Sequence, residues 1–439
     1  MNKTTVDTIL YPKWIIPIEP RNALLENHAV VIDQGQILAL MPEKQAREQY
    51  SAGTVLQLSD HVVMPGLINS HAHSPMALFR GMADDLALMD WLNHHIWPAE
   101  QRWINADFIR DGTELALLEK LRSGTTCFNE NFFFPAVTAE AAVAEQVRAV
   151  LGTPVINLQN QYAQNIDEYL RKMAEFCHQW RDHPLIKPTI HPQGPYTVND
   201  EAFLKVKEFS NAHQLIIHVH LHETLDEINM SMVQYHKRPV ERLYDLGLFS
   251  ERLVCIHMCH IDNEDMAILK ATNPSIVHCP ESNLKLASGF SPIHQLLQAG
   301  INVALGTDGA ASNNDLDMFS EMRTAAILAK AVAKDPTAVN AAETLQMATL
   351  NGARAFGLDE KIGSIVPGKA ADLIAVDLSA ANTQPIYHPA SHLVYAVNSR
   401  QVSDVWVAGK RLLQNGEFTT LDEEAILAKA KAWKNKMQP

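Results

Sequence analysis

From about residue 66 to residue 365, short apolar runs alternate with long helical stretches, and no other property of the chain limits its fold as much. The runs read SGTTCF, GTPVINL, IKPTI, QLIIHVHL, RLVCIHM, PSIVHC and NVALGTD. Apolar strands separated by helices imply βαβ units around a parallel sheet. Their number approaches eight, which favours a closed TIM-like (β/α)8 barrel over an open sheet. No glycine-rich fingerprint follows an early strand, as a dinucleotide-binding sheet would require.

The two ends have a different character. Residues 1–64 carry the strand-like runs ILYPKWIIPI, HAVVIDQGQILAL and VLQLSDHVVM, separated by turn residues such as Asp33 to Gly35, the pattern of a small antiparallel sheet. Near the other end stand ADLIAV (371–376) and VSDVWV (402–407), a turn at Gly409-Lys410, and a closing amphipathic helix DEEAILAKAKAWKNK. The expectation is one α/β catalytic barrel over 65–365, flanked by a small β-sandwich domain made from 1–64 and 366–439.

Composition removes several function classes. With 36 Lys+Arg against 50 Asp+Glu the formal charge is −14, the wrong sign for a general nucleic-acid binder. MNKTTVDTIL has no long apolar stretch and no run is apolar enough to span a bilayer, so neither a secretory signal nor a membrane anchor is expected. Five cysteines without regular spacing fit a reducing compartment, hence a cytoplasmic location. Among 20 histidines, the informative ones cluster at the ends of apolar runs.

Four such ends carry ligand chemistry. PGLINSHAH places His71 and His73 two residues apart, on one face of a strand, where both can reach one ion. QLIIHVHLHETLDE carries His218, His220 and His222 with Glu223; alternation puts all three rings on one face, so spacing does not choose the ligand. A Glu just past a ligating His is placed to move protons to and from an activated water. LVCIHMCH supplies His257 and His260, and NVALGTDGAASNN ends its strand at Asp308, which reads equally as the N-cap of a helix in DLDMFSEMRTAAILAK. Four strand ends of one barrel offering nitrogen and oxygen ligands, with no thiolate, point to one catalytic divalent metal, zinc or iron(II).

These residues, taken in order, resemble the amidohydrolase superfamily. PGLINSHAHSPM is similar to its HxH opening, HVHLHET to the fifth-strand metal histidine with its acid, CIHMCH to the sixth-strand histidine and LGTDGAASNN to the eighth-strand aspartate. The tail ATLNGARAFGLDEKIGSIVPGKAADLIAVD resembles the family's return into its small sheet domain. The resemblance implies a mononuclear site in which His71, His73, His220 and Asp308 hold the metal, without a bridging lysine. Glu223 would be the proton shuttle, Asp308 would take the proton of the attacking water, and His257 would orient hydroxide or substrate.

MADDLALMDWLNHHIWPAE, HCPESNLKLASG and GTDGAASNNDLDMFSEMR narrow the likeness to members that deaminate 5′-methylthioadenosine and S-adenosylhomocysteine. That group implies a purine-nucleoside substrate bound by Glu100 on the ribose side, by Ser282 and Asn283 near the base, and by Glu223 and Asp308 at the reacting atom. The glutamate of WPAE reads otherwise as part of a helix start after Pro98. Trp14, Trp91, Trp97 and Trp103 are open between pocket, interface and core. A homo-oligomer, dimer or tetramer, is expected.

Two departures bear on specificity. Gln193 stands in HPQGPYT where the group usually has a substrate-binding histidine, and glutamine cannot carry a proton. Residues 152–166 contain no arginine, the residue suited to the carboxylate tail of S-adenosylhomocysteine. A neutral tail, as in methylthioadenosine or adenosine, is therefore expected. The rival readings on the same scaffold are guanine, 8-oxoguanine or cytosine deamination and triazine hydrolysis. A catalytically dead scaffold is disfavoured, because the core positions are intact.

Overall fold

A computed structural model of the chain describes residues 3–437. Eight parallel strands form its centre: β1 (Leu67–Ala72), β2 (Thr125–Asn131), β3 (Arg148–Gly152), β4 (Ile186–Pro188, resumed at His191–Pro192), β5 (Ile217–Leu221), β6 (Leu253–His257), β7 (Ser275–His278) and β8 (Asn302–Leu305). Continuous pairing runs β1 to β4 and β5 to β8. Single bridges close the ring, Ile190 to Ile217 on one side and Ala72 to Asp308 on the other. Nearly every strand residue is buried, because helices cover the outside and side chains fill the inside.

Close approach of β1 to its neighbours needs two glycines. A Cβ on Gly66 would lie 2.1 Å from Thr126 Oγ1, and one on Gly306 would lie 2.7 Å from the His71 amide nitrogen. The helices start at side-chain caps: Asn105, Asn199, Thr224 and Asp262 each accept a bond from the first helical turn that follows them. Helix Met318–Ala333 is capped by Asp317, so Asp308 is not spent on a cap.

Both chain ends join one sheet. Tyr50–Pro65 pairs antiparallel with Leu373–Asp377, with Met64 opposite Ile374. The expected antiparallel pattern holds for most neighbours but not for Thr4–Ile15, which runs parallel to Tyr50–Pro65. A parallel pair needs a long connection, and here the hairpin His28–Pro42 and helix Glu43–Gln49 supply it. Arg148 at the foot of β3 forks onto Asp372 at 2.8 and 3.1 Å, a buried pair that ties barrel to sheet. The closing helix Glu423–Met437 lies against helix Ala106–Arg122, where Trp433 donates to Asp111 at 2.8 Å. Among the described residues no helix is long and apolar enough to cross a membrane.

Candidate active site

The strand ends of the barrel meet at one point. His71 in β1, His73 just past it, His220 in β5, His257 at the end of β6 and Asp308 past β8 all face the same mouth, the end of such barrels where chemistry collects. Asp308 Oδ1 is 3.3 Å from Nε2 of both His71 and His73. The ring of His220 is 4.9 Å from that of His71, centre to centre.

Neighbouring carbonyls set the tautomers. His73 donates from Nδ1 to the Asn131 carbonyl and His220 from Nδ1 to the Gln193 carbonyl, each at 2.7 Å. Both rings thereby turn Nε2, with its lone pair, to the centre. His257 Nδ1 donates to Asn283 Oδ1 at 2.8 Å, which leaves its Nε2 3.7 Å from Glu223 Oε2. Asp308 has a left-handed backbone, φ +63°, and its carboxylate accepts from Gly309 N at 2.8 Å and Ser282 Oγ at 2.6 Å.

Burial pushes most of these rings to the neutral form that ligates metals. His71 lies well below the ordinary histidine value, and His220 is driven to about 4 by burial with His257 adding to it. For His73 burial also works downward, but the bond and charge of Asp308 win and lift it to about 9. Asp308 is held well below the usual carboxylate range by His71 and His73 against the effect of burial. Burial lifts Glu223 to about 7 and Glu100 to about 7.

The donor set fits one divalent ion. Ligand atoms of His71, His73 and Asp308 lie within 4.8 Å of one another, as do those of His71, His220 and His257. Both ring nitrogens of His71 are buried without a hydrogen-bond partner, the state of a ligand whose partner is a cation. None of the five cysteines joins either group. The buried Lys120 is bound to Ser74 and lies over the Phe128 ring at 4.0 Å, away from the cavity lining.

The point of convergence is the floor of a cavity of about 260 Å³. Glu100, Gln193, Glu223, His257 and Asp308 line it. Ser282 and Asn283 do not: they are fully buried one layer behind, bonded to Asp308 and His257. Trp91 and Trp97 form wall, while Trp14 and Trp103 pack against the core. The chain does not start a helix after Pro98, as the alternative reading had it: Pro98 lies inside helix Trp97–Trp103, which continues directly from the helical turn Leu92–Ile96, and Glu100 lines the cavity. The sequence reading did not find Phe132, Phe133, Tyr196 or the segment Leu158–Tyr162, which complete the wall. Among the described residues that line the cavity, none is lysine or arginine.

The remaining histidines separate by geometry. β5 ends at Leu221, and His222, at φ +54°, turns out of the alternation. Its Nδ1 donates to the His260 carbonyl at 3.0 Å and its Nε2 accepts from Val240 N at 3.1 Å, so it is a staple between loops. His218 lies deeper in the barrel, edge-on to His71 and His191, without a hydrogen-bond partner. His278 is buried at the end of β7 and lines no part of the cavity.

Residues 62–412 match the amidohydrolase family. The chain is 44% identical over 437 residues to a 5-methylthioadenosine/S-adenosylhomocysteine deaminase of Saccharophagus degradans, covering 100% of this chain and 98% of that one. It is 43% identical over 436 residues to a protein of the same name from Teredinibacter turnerae, covering 99% of each. A solved structure of an adenosine deaminase from Xanthomonas campestris, with bound zinc, superposes with a TM-score of 0.98 at 47% identity, covering 99% of each chain.

Proposed function

The chain belongs to the amidohydrolase family, and from that premise we propose that it hydrolyses the 6-amino group of adenine nucleosides with a small, uncharged 5′ substituent, releasing ammonia. The observation that carries this reading is the convergence of Glu223, His257 and Asp308 on one point at the floor of a cavity walled by aromatic and amide side chains. Full-length relatives named 5-methylthioadenosine/S-adenosylhomocysteine deaminase support the deamination of an adenine nucleoside.

His71, His73, His220 and Asp308 are the proposed metal holders, with zinc the ion that the bound zinc of the Xanthomonas campestris structure favours. Bound there, the ion supplies the Lewis acidity that makes hydroxide available near neutral pH. The chain's own groups do the rest. Asp308 takes the proton of the attacking water, and its low proton affinity as a ligand lets it pass that proton on. Glu223, lifted to about 7 by burial, gives a proton to the purine ring nitrogen as attack proceeds. His257, its Nδ1–H held by Asn283, turns its Nε2 lone pair to the attacking water and orients it by accepting its hydrogen bond. Asp308 then passes its proton to the amine, ammonia leaves, and the proton of the C6 hydroxyl returns to Glu223 as the carbonyl forms. Glu100, on the same helical turn as Trp97, lines the cavity and is the proposed partner of the ribose hydroxyls.

The test is ammonia release over a panel of methylthioadenosine, adenosine, 5′-deoxyadenosine, S-adenosylhomocysteine, guanine, cytosine and a triazine, with metal content measured on the same sample. Turnover of the nucleosides is expected. Turnover confined to guanine, cytosine or the triazine would overturn the reading.

A further inference from the structure

Glu223 is held by a set of contacts that the reaction itself does not require. Glu227, buried one helical turn away, accepts the backbone N–H of both His222 and Glu223, at 2.9 and 2.8 Å. This clamps the main chain of the proposed proton carrier but does not hold its carboxyl group. The side chain is caught separately: Ser288 Oγ donates to Glu223 Oε1 at 3.2 Å. Ser288 is itself buried and lines no part of the cavity.

Ser288 is held in turn. His260 donates from Nε2 to the Ser288 carbonyl at 2.6 Å, and the His260 carbonyl receives the Nδ1–H of His222. The next residue, Gly289, has φ +141°, and a Cβ there would lie 2.7 Å from His260 Nε2. Glycine is what lets the His260 ring reach the turn. From His222 to His260, to Ser288, to Glu223, the contacts form a closed loop around one carboxyl group.

We propose that Ser288 is a positioning residue for the reaction, which divides the labour between the two oxygens of Glu223, with His260 acting through it. This rests on Glu223 being the proton carrier. The Ser288 hydroxyl donates, so Oε1 must accept, whether the carboxyl is ionised or is a neutral acid presenting its carbonyl oxygen. The transferable proton therefore rides on Oε2, the oxygen 3.7 Å from His257 Nε2. Without Ser288 the carboxyl group can turn about its own bond and offer the wrong oxygen or the wrong angle.

The experiment measures kcat and KM for methylthioadenosine, with bound metal, in Ser288→Ala, Ser288→Cys, His260→Leu and His260→Gln, and repeats Ser288→Ala in a Glu223→Gln background. Ser288→Ala is expected to lower kcat by about 10- to 100-fold, the range for one hydrogen bond to a charged group, with KM and metal content near those of the parent. Ser288→Cys, with its weak donor, falls between the two, and His260→Gln, which keeps a donor, loses less than His260→Leu. In the Glu223→Gln background Ser288→Ala is expected to cost nothing more. Parental kcat in Ser288→Ala, or an equal further loss in the Glu223→Gln background, overturns the proposal. Parental kcat in Glu223→Gln alone would instead remove the proton-carrier reading beneath it.

Discussion

Gly306→Ala is a one-carbon probe of how the barrel wall sets the metal site. The added methyl would stand 2.7 Å from the His71 amide nitrogen, 2.9 Å from His71 Cβ and 3.0 Å from its carbonyl oxygen. Ordinary contact begins at 3.4 Å, so β8 and β1 must part by roughly 0.7 Å. Two of those three atoms are backbone, so no side-chain rotation relieves the contact. Gly306 does not have a left-handed φ, and the effect is therefore steric alone. Overpacking of this size costs about 1–3 kcal/mol. The parting occurs at the seam where Asp308 N donates to the His71 carbonyl at 2.9 Å and where Asp308 Oδ1 reaches both first-motif histidines. If about 2 kcal/mol of it is felt at the site, metal affinity falls by roughly 30-fold. The assay is competition for zinc against a chromophoric chelator, beside thermal unfolding of the metal-free proteins. Gly53→Ala, whose methyl would meet only Asp7 O at 3.7 Å, is the control and should leave both unchanged. A Gly306→Ala protein that binds zinc as the parent does and melts at the same temperature would refute the argument.

Arg148→Met should destabilise the protein by about 3–5 kcal/mol in denaturant titration, because it strands the buried Asp372 carboxylate; a loss below about 1 kcal/mol would show that the pair is not what ties barrel to sheet. S-Adenosylhomocysteine should show a kcat/KM about 10- to 100-fold below that of methylthioadenosine, since no lysine or arginine in the cavity wall can receive its carboxylate; a ratio at or above one would contradict this. Chelation should abolish turnover and lower the melting temperature, and zinc at about 1,000 times its Kd should restore about 4 kcal/mol of stability. Asp308→Asn should blunt that recovery; full stabilisation by zinc in this variant would remove Asp308 from the ligand set.

The barrel and the convergence of its strand-end side chains were legible because both rest on short-range periodicity. Runs such as LVCI (253–256) are apolar on both faces only where helices cover a parallel sheet, and HxH pairs point one way along a strand. The choice among His218, His220 and His222 was not legible, because it depends on where β5 stops. The strand ends at Leu221, and one left-handed residue turns His222 away. The placement of Ser282 and Asn283 against substrate failed for a related reason. They lie on the short helix Pro280–Lys285, whose turn directs both behind the wall, onto Asp308 and His257. Motif spacing says that residues are near the chemistry, but not which side of it they face.

The position that departs most from the group's pattern shows why substrate preference is the least legible property. Gln193 contributes two things to the site. Its carbonyl accepts the Nδ1–H of His220 at 2.7 Å, and its amide nitrogen donates to Val155 O at 3.1 Å. Both contacts are made by backbone and survive any side chain. A histidine-to-glutamine exchange here therefore leaves His220, a proposed metal holder, oriented as before, while it alters one polar group in the cavity wall. The segment Leu158–Tyr162 and the helical wall between Leu88 and Ile104 line the same cavity. The proposed metal centre lies at strand ends coupled through main-chain bonds, and change there is costly. The outer wall of the cavity is built from loops and from the helical stretch Leu88–Trp103, where a side chain can be replaced without disturbing the barrel, so one scaffold can keep its chemistry while its preferred substrate drifts.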